Sequence, residues 1–419
     1  MSNPPTRQSF FGWRVAALAT IVAVMTSPGQ TIGVSVFIDR FISDLSLSRS
    51  TVATAYLIGT LAGGLTMPFV GRAVDRHGPR KAMLVVGSLF AVAIAAMSGV
   101  VGIVSLTLGF ASIRMLGQGS LSLATHVVIA RWFDRRRGAV IGVTATFTSI
   151  GMALAPYFFN ISIDAIGWRR AWLVVAVAVA AIVLPIARFG IIDWPSDVGQ
   201  MPDGEVPVSG GVPPQASGVT RGQAVHTYRF WVLSGSVASV SMLSTGLNFN
   251  QIALLGEAGL TASEAALMFI PQVIGSSVAG LAIGAIADRT SSRRIVPFAM
   301  ALLVASLMLA AFVRPGPMVI LYAVTIGAAG GGIRSVEGTL LPRWFGTRHL
   351  GSISGLGTLL NVGASALGPL IFSLGRDLSG SFRGVALATT TIPIIFGILA
   401  LMPSMTKTFR PDTELPSSH

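Results

Sequence analysis

The sequence predicts an all-α membrane protein of twelve spanning helices arranged as two pseudo-symmetric six-helix bundles. Three observations predict it. Hydrophobic residues fill 52% of the 419 positions while only 11% are charged, against about 25% charged in a soluble domain. The apolar residues fall into twelve stretches, each close to the ~20 residues that cross a bilayer. The second six stretches repeat the first six at a nearly fixed offset of 213 residues.

The stretches lie near 14–37, 50–74, 80–103, 105–130, 138–163 and 170–192, then 229–256, 262–286, 294–313, 317–341, 351–375 and 382–404. They are called helices 1 to 12 below. Lipid offers backbone groups no partner, so a continuous apolar stretch must be helical. Residues 1–192 form the first six-helix half and 229–404 the second. Between them, 193–228 reads as a cytoplasmic linker rich in proline and glycine, among them Pro195, Pro202, Pro207, Pro213 and Pro214. Residues 405–419 form a polar cytoplasmic tail. The first apolar stretch lacks a small-residue cleavage site and reads as a retained helix.

Orientation follows from the basic residues. Of 29 Lys and Arg, 20 fall in segments on the side of the termini, 7 in the opposite loops, and two, Arg114 and Arg334, within spans. This bias places both termini in the cytoplasm of a bacterial inner membrane. It also accounts for the net charge of +13 without nucleic acid. Cysteine is absent, which removes disulfides and thiolate chemistry. Neither a metal cluster, a phosphate-cradling loop nor a nucleophile–base constellation is present. The expectation is therefore no enzyme, no catalytic residue, no metal and no cofactor.

The repeat is visible residue by residue. Gly71-Arg72-Ala73-Val74-Asp75-Arg76 matches Gly284-Ala285-Ile286-Ala287-Asp288-Arg289, and Arg131-Trp132-Phe133 matches Arg343-Trp344-Phe345. Gly142 pairs with Gly355, Pro156 with Pro369, and Leu47-Ser48 with Leu260-Thr261. Such self-similarity decides architecture.

Gly71-x-x-x-Asp75-Arg76-x-Gly78-x-Arg80-Lys81 resembles the signature loop of the major facilitator superfamily between helices 2 and 3. Its degenerate copy, Gly284 to Arg293, falls between helices 8 and 9. The resemblance implies secondary transport by alternating access, with the solute near the midplane between the halves. It also implies that Asp75, Arg76, Arg80, Asp288 and Arg289 belong to a cytoplasmic gate. Within the superfamily the chain resembles the monocarboxylate porters and their oxalate/formate-type bacterial relatives. Gly12-Trp13-Arg14-Val15, Trp132-Phe133-x-Arg135-Arg136-Arg137 and Gly167-Trp168-Arg169 carry this likeness. One departure stands out: those families place an arginine in helix 8, where this chain has Pro271-Gln272.

Ionisable groups inside spans cost several kcal/mol, about 2.5–3.5 on insertion scales, and need a reason. Arg334 and Glu337, three apart on helix 10, share a face. Either Arg334 binds a substrate carboxylate while Glu337 relays a proton, or the two form a structural ion pair. Arg114 precedes Gly117-Gln118-Gly119, a pattern resembling a superfamily motif tied to proton coupling. The competing reading has Arg114 bonded to helix 1 carbonyls. Arg114 is also a solute-binding candidate, and either Arg114 or Arg334 would attract the anion. In helix 1, Pro28-Gly29 frees backbone groups beside Gln30 and Thr31, which suits a cavity-facing position. In the repeat, helix 7 carries Asn248, Asn250 and Gln251. Gln272, Asn361 and Tyr56 complete the solute-binding candidates.

The expected function is proton-coupled transport of a small organic anion, a monocarboxylate, by a monomeric symporter whose partners are the solute, protons and membrane lipid. The alternative is proton-driven efflux of a neutral or cationic compound through Glu337. A non-transporting receptor would need an extramembrane signalling domain, and the 193–228 stretch has no periodic apolar pattern.

Overall fold

The computed structural model describes residues 10–134, 136–204, 218–287, 292–346 and 350–402. These residues are almost wholly helical, and the one strand-like pairing among them joins Gly218 to Gly346. Nine helices among them are long and apolar enough to cross a membrane. Helix 2, Arg49–His77, is equally long but rich in Gly and Thr. Helices 1 and 4 are interrupted.

Helix 1 runs in pieces: Gly12–Val24, Ser27–Gly29, Thr31–Ser35 and Ile38–Leu45. The break falls at Pro28-Gly29. Proline cannot donate to the preceding turn, and a side chain at Gly29 would overlap the Ile113 carbonyl of helix 4. Helix 4 widens to i→i+5 turns over Arg114–Leu121, the kind of local bulge that often marks functional positions. Helix 7, Tyr228–Phe249, continues as Gln251–Glu257, and helix 8 begins as Ala262–Leu267 before Phe269–Ala287.

The helix starts carry the repeat into local structure. Ser48 caps helix 2 by accepting the Thr51 N–H, and Thr261 caps helix 8 by accepting the Glu264 N–H. Each satisfies a donor that a helix start otherwise leaves orphaned.

The chain divides into two compact units, Met1–Gly211 and Val212–His419. Inside the first, helix 2 packs on 4, helix 1 on 5, and helix 3 on 6. Inside the second, helix 8 packs on 10, helix 7 on 11, and helix 9 on 12. The same three pairings recur at the sequence offset, so the repeat is one of packing as well as of motifs. Outward faces are apolar: Leu65, Phe189 and Leu281 are at least 75% exposed. In water such surface would drive aggregation; in a bilayer it meets lipid.

The stretch expected as a plain linker starts as an ordered strap on the first unit. Asp193 Oδ1 accepts the Arg80 N–H at 2.8 Å, and the Ile192 carbonyl accepts from Trp132 Nε1 at 2.9 Å. Gln200 Oε1 accepts the Phe11 N–H at 3.0 Å, and Asp203 Oδ2 the Asp134 N–H at 2.9 Å. A further short helix, Arg221–Val225, precedes helix 7. Turn-forming residues gave the composition of a linker; their long-range partners are not written in local sequence.

Candidate functional site

In the first unit the site residues gather around Arg114. Its residue is 4% exposed. Nε donates to Thr60 Oγ1 at 3.1 Å, and one terminal nitrogen to the Gly29 carbonyl at 3.3 Å and Thr31 Oγ1 at 3.4 Å. The guanidinium lies 4.7 Å from the Tyr56 ring centroid, a cation–π distance. Thr31 and Tyr56 share a hydroxyl hydrogen bond of 2.7 Å. The Gly29 carbonyl lacks a helical donor because the chain turns extended at Gln30, φ −92° and ψ 154°. Gln30 turns to Thr26 Oγ1 at 3.2 Å. Arg114 is thus engaged with helices 1 and 2 of its own half, through the helix 1 carbonyl that one of the two readings required.

In the second unit the polar residues form a line across three helices. From helix 10, Arg334 donates to Ser276 Oγ of helix 8 at 2.8 Å. One turn along helix 8, Gln272 Nε2 donates to Asn248 Oδ1 of helix 7 at 2.8 Å. Residues four apart share a helix face, so Ser276 and Gln272 connect the two contacts. Glycines make room for the line. A side chain at Gly327 would overlap the Gln272 carbonyl, and one at Gly331 the Ser276 carbonyl. Helices 8 and 10 therefore meet backbone to backbone. Small residues permit such close approach in membranes.

Arg334 is exposed although it sits inside a 29-residue helix. Among the described residues Arg334 hydrogen-bonds to Ser276 and forms no direct ion pair with Glu337, although the two charges attract each other across the gap. Glu337 is half-buried. A methyl built on Gly357 would lie 3.7 Å from Glu337 Oε1 and 4.0 Å from Ser234 Oγ, which places this carboxylate beside helices 7 and 11.

A model of the Major Facilitator Superfamily matches residues 16–249 and 232–417. The chain belongs to this superfamily. It is 24% identical over 372 residues to an uncharacterized 38 kDa protein of Thermoproteus tenax, covering 87% of this chain and 88% of that one. It is 25% identical over 167 residues to the MFS-type efflux transporter phmH of Phaeosphaeria nodorum, where the match covers 37% of this chain and only 29% of that protein. The fold is similar to that of a bacterial homolog of the human lysosomal transporter Spinster, crystallised inward-facing and unoccupied. There the TM-score is 0.75 at 15% identity, over 95% of this chain and 98% of that one. It is also similar to a mutant of the nucleoside transporter NupG, with a TM-score of 0.74 at 12% identity, over 94% and 100% of the two chains.

The superfamily's signature loop has its own geometry here. Gly78 adopts φ +83°, and a side chain there would strike the Asp193 carboxylate. Pro79 and Arg80 then open helix 3, and Asp193 caps it from outside. The Arg80 guanidinium donates to the Arg188 carbonyl at the end of helix 6. Arg76 is exposed at the end of helix 2. Asp288 and Arg289 lie outside the described residues, as does the side chain of Asp75.

The remaining candidates separate. Asn250 is 1% exposed, donates to the Gly246 carbonyl at 3.0 Å and accepts from Ser373 at 3.2 Å. It ties helix 7 to helix 11 as interior glue rather than lining a cavity. Asn361 Oδ1, Gln272 Oε1 and Ser244 Oγ are buried and have no hydrogen-bond partner among the described residues. Sequence reasoning missed Ser276. A lone serine in an apolar helix is common, and only its partner across the bundle, Arg334, singles it out. Among the described residues, no group of three or more His, Asp or Glu could hold a metal ion.

Proposed function

We propose that this chain is a proton-coupled secondary transporter that moves a small organic anion, a monocarboxylate, across the bacterial inner membrane by alternating access. One observation carries the reading: Arg334 is an exposed cation in mid-helix whose only hydrogen bond among the described residues is to a hydroxyl. A guanidinium presents planar paired donors that match a carboxylate, and among the described residues only Ser276 takes one from Arg334. It supplies the arginine that the related families place in helix 8. Arg114, by contrast, is buried and bound within its own half.

Glu337, three residues on, supplies the coupling. An anion at Arg334 and a charged Glu337 repel each other. A proton on Glu337 removes that repulsion. Anion binding and proton binding therefore favour each other, and by linkage each strengthens the other equally. This is the thermodynamic basis of symport.

A second reading draws on a different feature. Helices 7, 11 and 12 enclose an apolar groove of about 790 Å³, lined by Trp231, Leu359, Leu360, Leu367 and Phe396 with Ser234 at one side. Glu337 stands near Ser234. An apolar cation would fit this pairing. One relative is a multidrug resistance protein B homolog of Mycobacterium tuberculosis, 29% identical over 183 residues, covering 42% of this chain and 33% of that one.

Uptake of radiolabelled short carboxylates into proteoliposomes, with and without an inward proton gradient, tests the proposal. The expected result is gradient-stimulated uptake of at least one acid. Arg334→Ala should abolish it. Glu337→Gln should remove the gradient stimulation while keeping exchange of the acid. No acid uptake under either condition, together with gradient-driven export of a lipophilic cation that Glu337→Gln abolishes, would replace this reading with the second.

A further inference from the structure

The contact between Asn248 and Gln272 has a property that does not depend on how the two amides are turned. Each side-chain amide carries one carbonyl and one amino group. With Gln272 Nε2 donating to Asn248 Oδ1, the Gln272 carbonyl and the Asn248 amino group are left over. If both amides are flipped, the Gln272 amino group and the Asn248 carbonyl are left over instead. Either way the pair presents one donor and one acceptor, side by side. The leftover Gln272 oxygen is buried and has no donor among the described residues. So is the Ser244 hydroxyl, four residues before Asn248 on the same face of helix 7.

The pair also sits at a fixed distance from the cation. Gln272 and Ser276 are one helical turn apart, ~5–6 Å between side-chain origins, and Ser276 holds the Arg334 guanidinium. Helices 7 and 8 run in opposite directions past the Asn248–Gln272 contact. Four residues back along helix 7 and four forward along helix 8 therefore lead the same way, so Ser244 stands at the level of Ser276. Gly327 and Gly331 fix both contacts by backing helix 10 onto the carbonyls of Gln272 and Ser276.

We infer that this line reads its solute at two points: Arg334 and Ser276 take the carboxylate, and the Asn248–Gln272 pair takes a second group, about one helical turn away, that both donates and accepts a hydrogen bond. The solute is then a carboxylate bearing a distal hydroxyl or carbamoyl group, not a plain alkyl acid. The inference rests on the carboxylate reading above and narrows it. A polar site rejects an analogue lacking the matching group because its own buried atoms go unpaired, whereas a lost methylene changes affinity by about 10–200-fold at most. Discrimination by polarity at constant length is therefore the signature to seek.

The test is equilibrium binding to the purified full-length protein, read as ligand-induced thermal stabilisation. Three probes of one backbone are titrated: valerate, valerate with a terminal hydroxyl, and the methyl ether of that hydroxyl. The ether keeps the acceptor and loses the donor. The hydroxy acid is expected to bind wild type at least ~10-fold more tightly than valerate, with the ether falling back to the level of valerate. Gln272→Met and Asn248→Leu should each shrink the preference for the hydroxy acid over valerate to within ~2-fold. Equal binding of all three probes to wild type would overturn the inference while leaving the carboxylate reading standing. So would an ether as tight as the hydroxy acid, or a preference that survives Gln272→Met. Absence of binding by any of the three, with Arg334→Ala no different from wild type, would instead count against the carboxylate reading itself. The wild-type comparison with the ether decides the matter even if both variants fail to fold.

Discussion

Two arginines occupy spans, and burial separates them. Arg114 is 4% exposed and bonded to Thr60, Thr31 and a helix 1 carbonyl. Removing it strands those acceptors, and each unsatisfied buried group costs about 1–3 kcal/mol. Arg114→Met is therefore expected to lower the thermal unfolding temperature while leaving solute affinity, measured on the folded fraction, within a few-fold of wild type. Loss of binding without loss of stability would assign Arg114 to the solute site instead. At this scale the sequence was legible wherever a charge stood against an apolar background: Arg114, Arg334 and Glu337 announce themselves. Partners were not legible. Arg334 and Glu337 share a face, as their spacing requires, yet Arg334 bonds to Ser276, 58 positions away. Asn250 looked like Asn248 in sequence, but its side chain points into the contact with Ser373.

At the scale of elements, two close approaches hold the site and its surroundings. Helices 8 and 10 touch through Gly327 and Gly331. Gly327→Ala is expected to destabilise the protein by about 1–3 kcal/mol through overpacking and to abolish transport by parting Gln272 from Asn248. Thermal unfolding and uptake check the two effects separately. In the first unit, Asp193 caps helix 3 across 113 positions of sequence. Asp193→Ala should cost about 0.5–2 kcal/mol, the usual worth of a cap, whereas Asp193→Asn keeps the acceptor and most of the stability. Equal unfolding temperatures for wild type and Asp193→Ala would show that the cap contributes nothing. The helix 1 break was readable from Pro28-Gly29. The widened turns of Arg114–Leu121 were not, because no local residue type specifies them. The strap at 191–204 was hidden because its composition is that of any linker.

Over the whole molecule, the 213-residue repeat was the strongest signal in the sequence, and the packing returns it as three equivalent helix pairings in each unit. Repetition is legible because it compares the chain with itself and needs no knowledge of contacts. Orientation rests on the basic-residue bias alone. The absence of cysteine makes it simple to check with single introduced thiols. In intact spheroplasts, a membrane-impermeant maleimide should label Ala165→Cys, at the outer end of helix 5, and should label Arg221→Cys only after permeabilisation. The reverse pattern would invert the topology.

The most direct measurement is the affinity of the purified protein for short carboxylates, compared among wild type, Arg334→Ala and Arg114→Met. Arg334→Ala should weaken binding at least tenfold, about 1.4 kcal/mol, with Arg114→Met folded but less stable and binding within a few-fold of wild type. Carboxylate binding that survives Arg334→Ala and disappears in a folded Arg114→Met would contradict the assignment of the anion site to the second half.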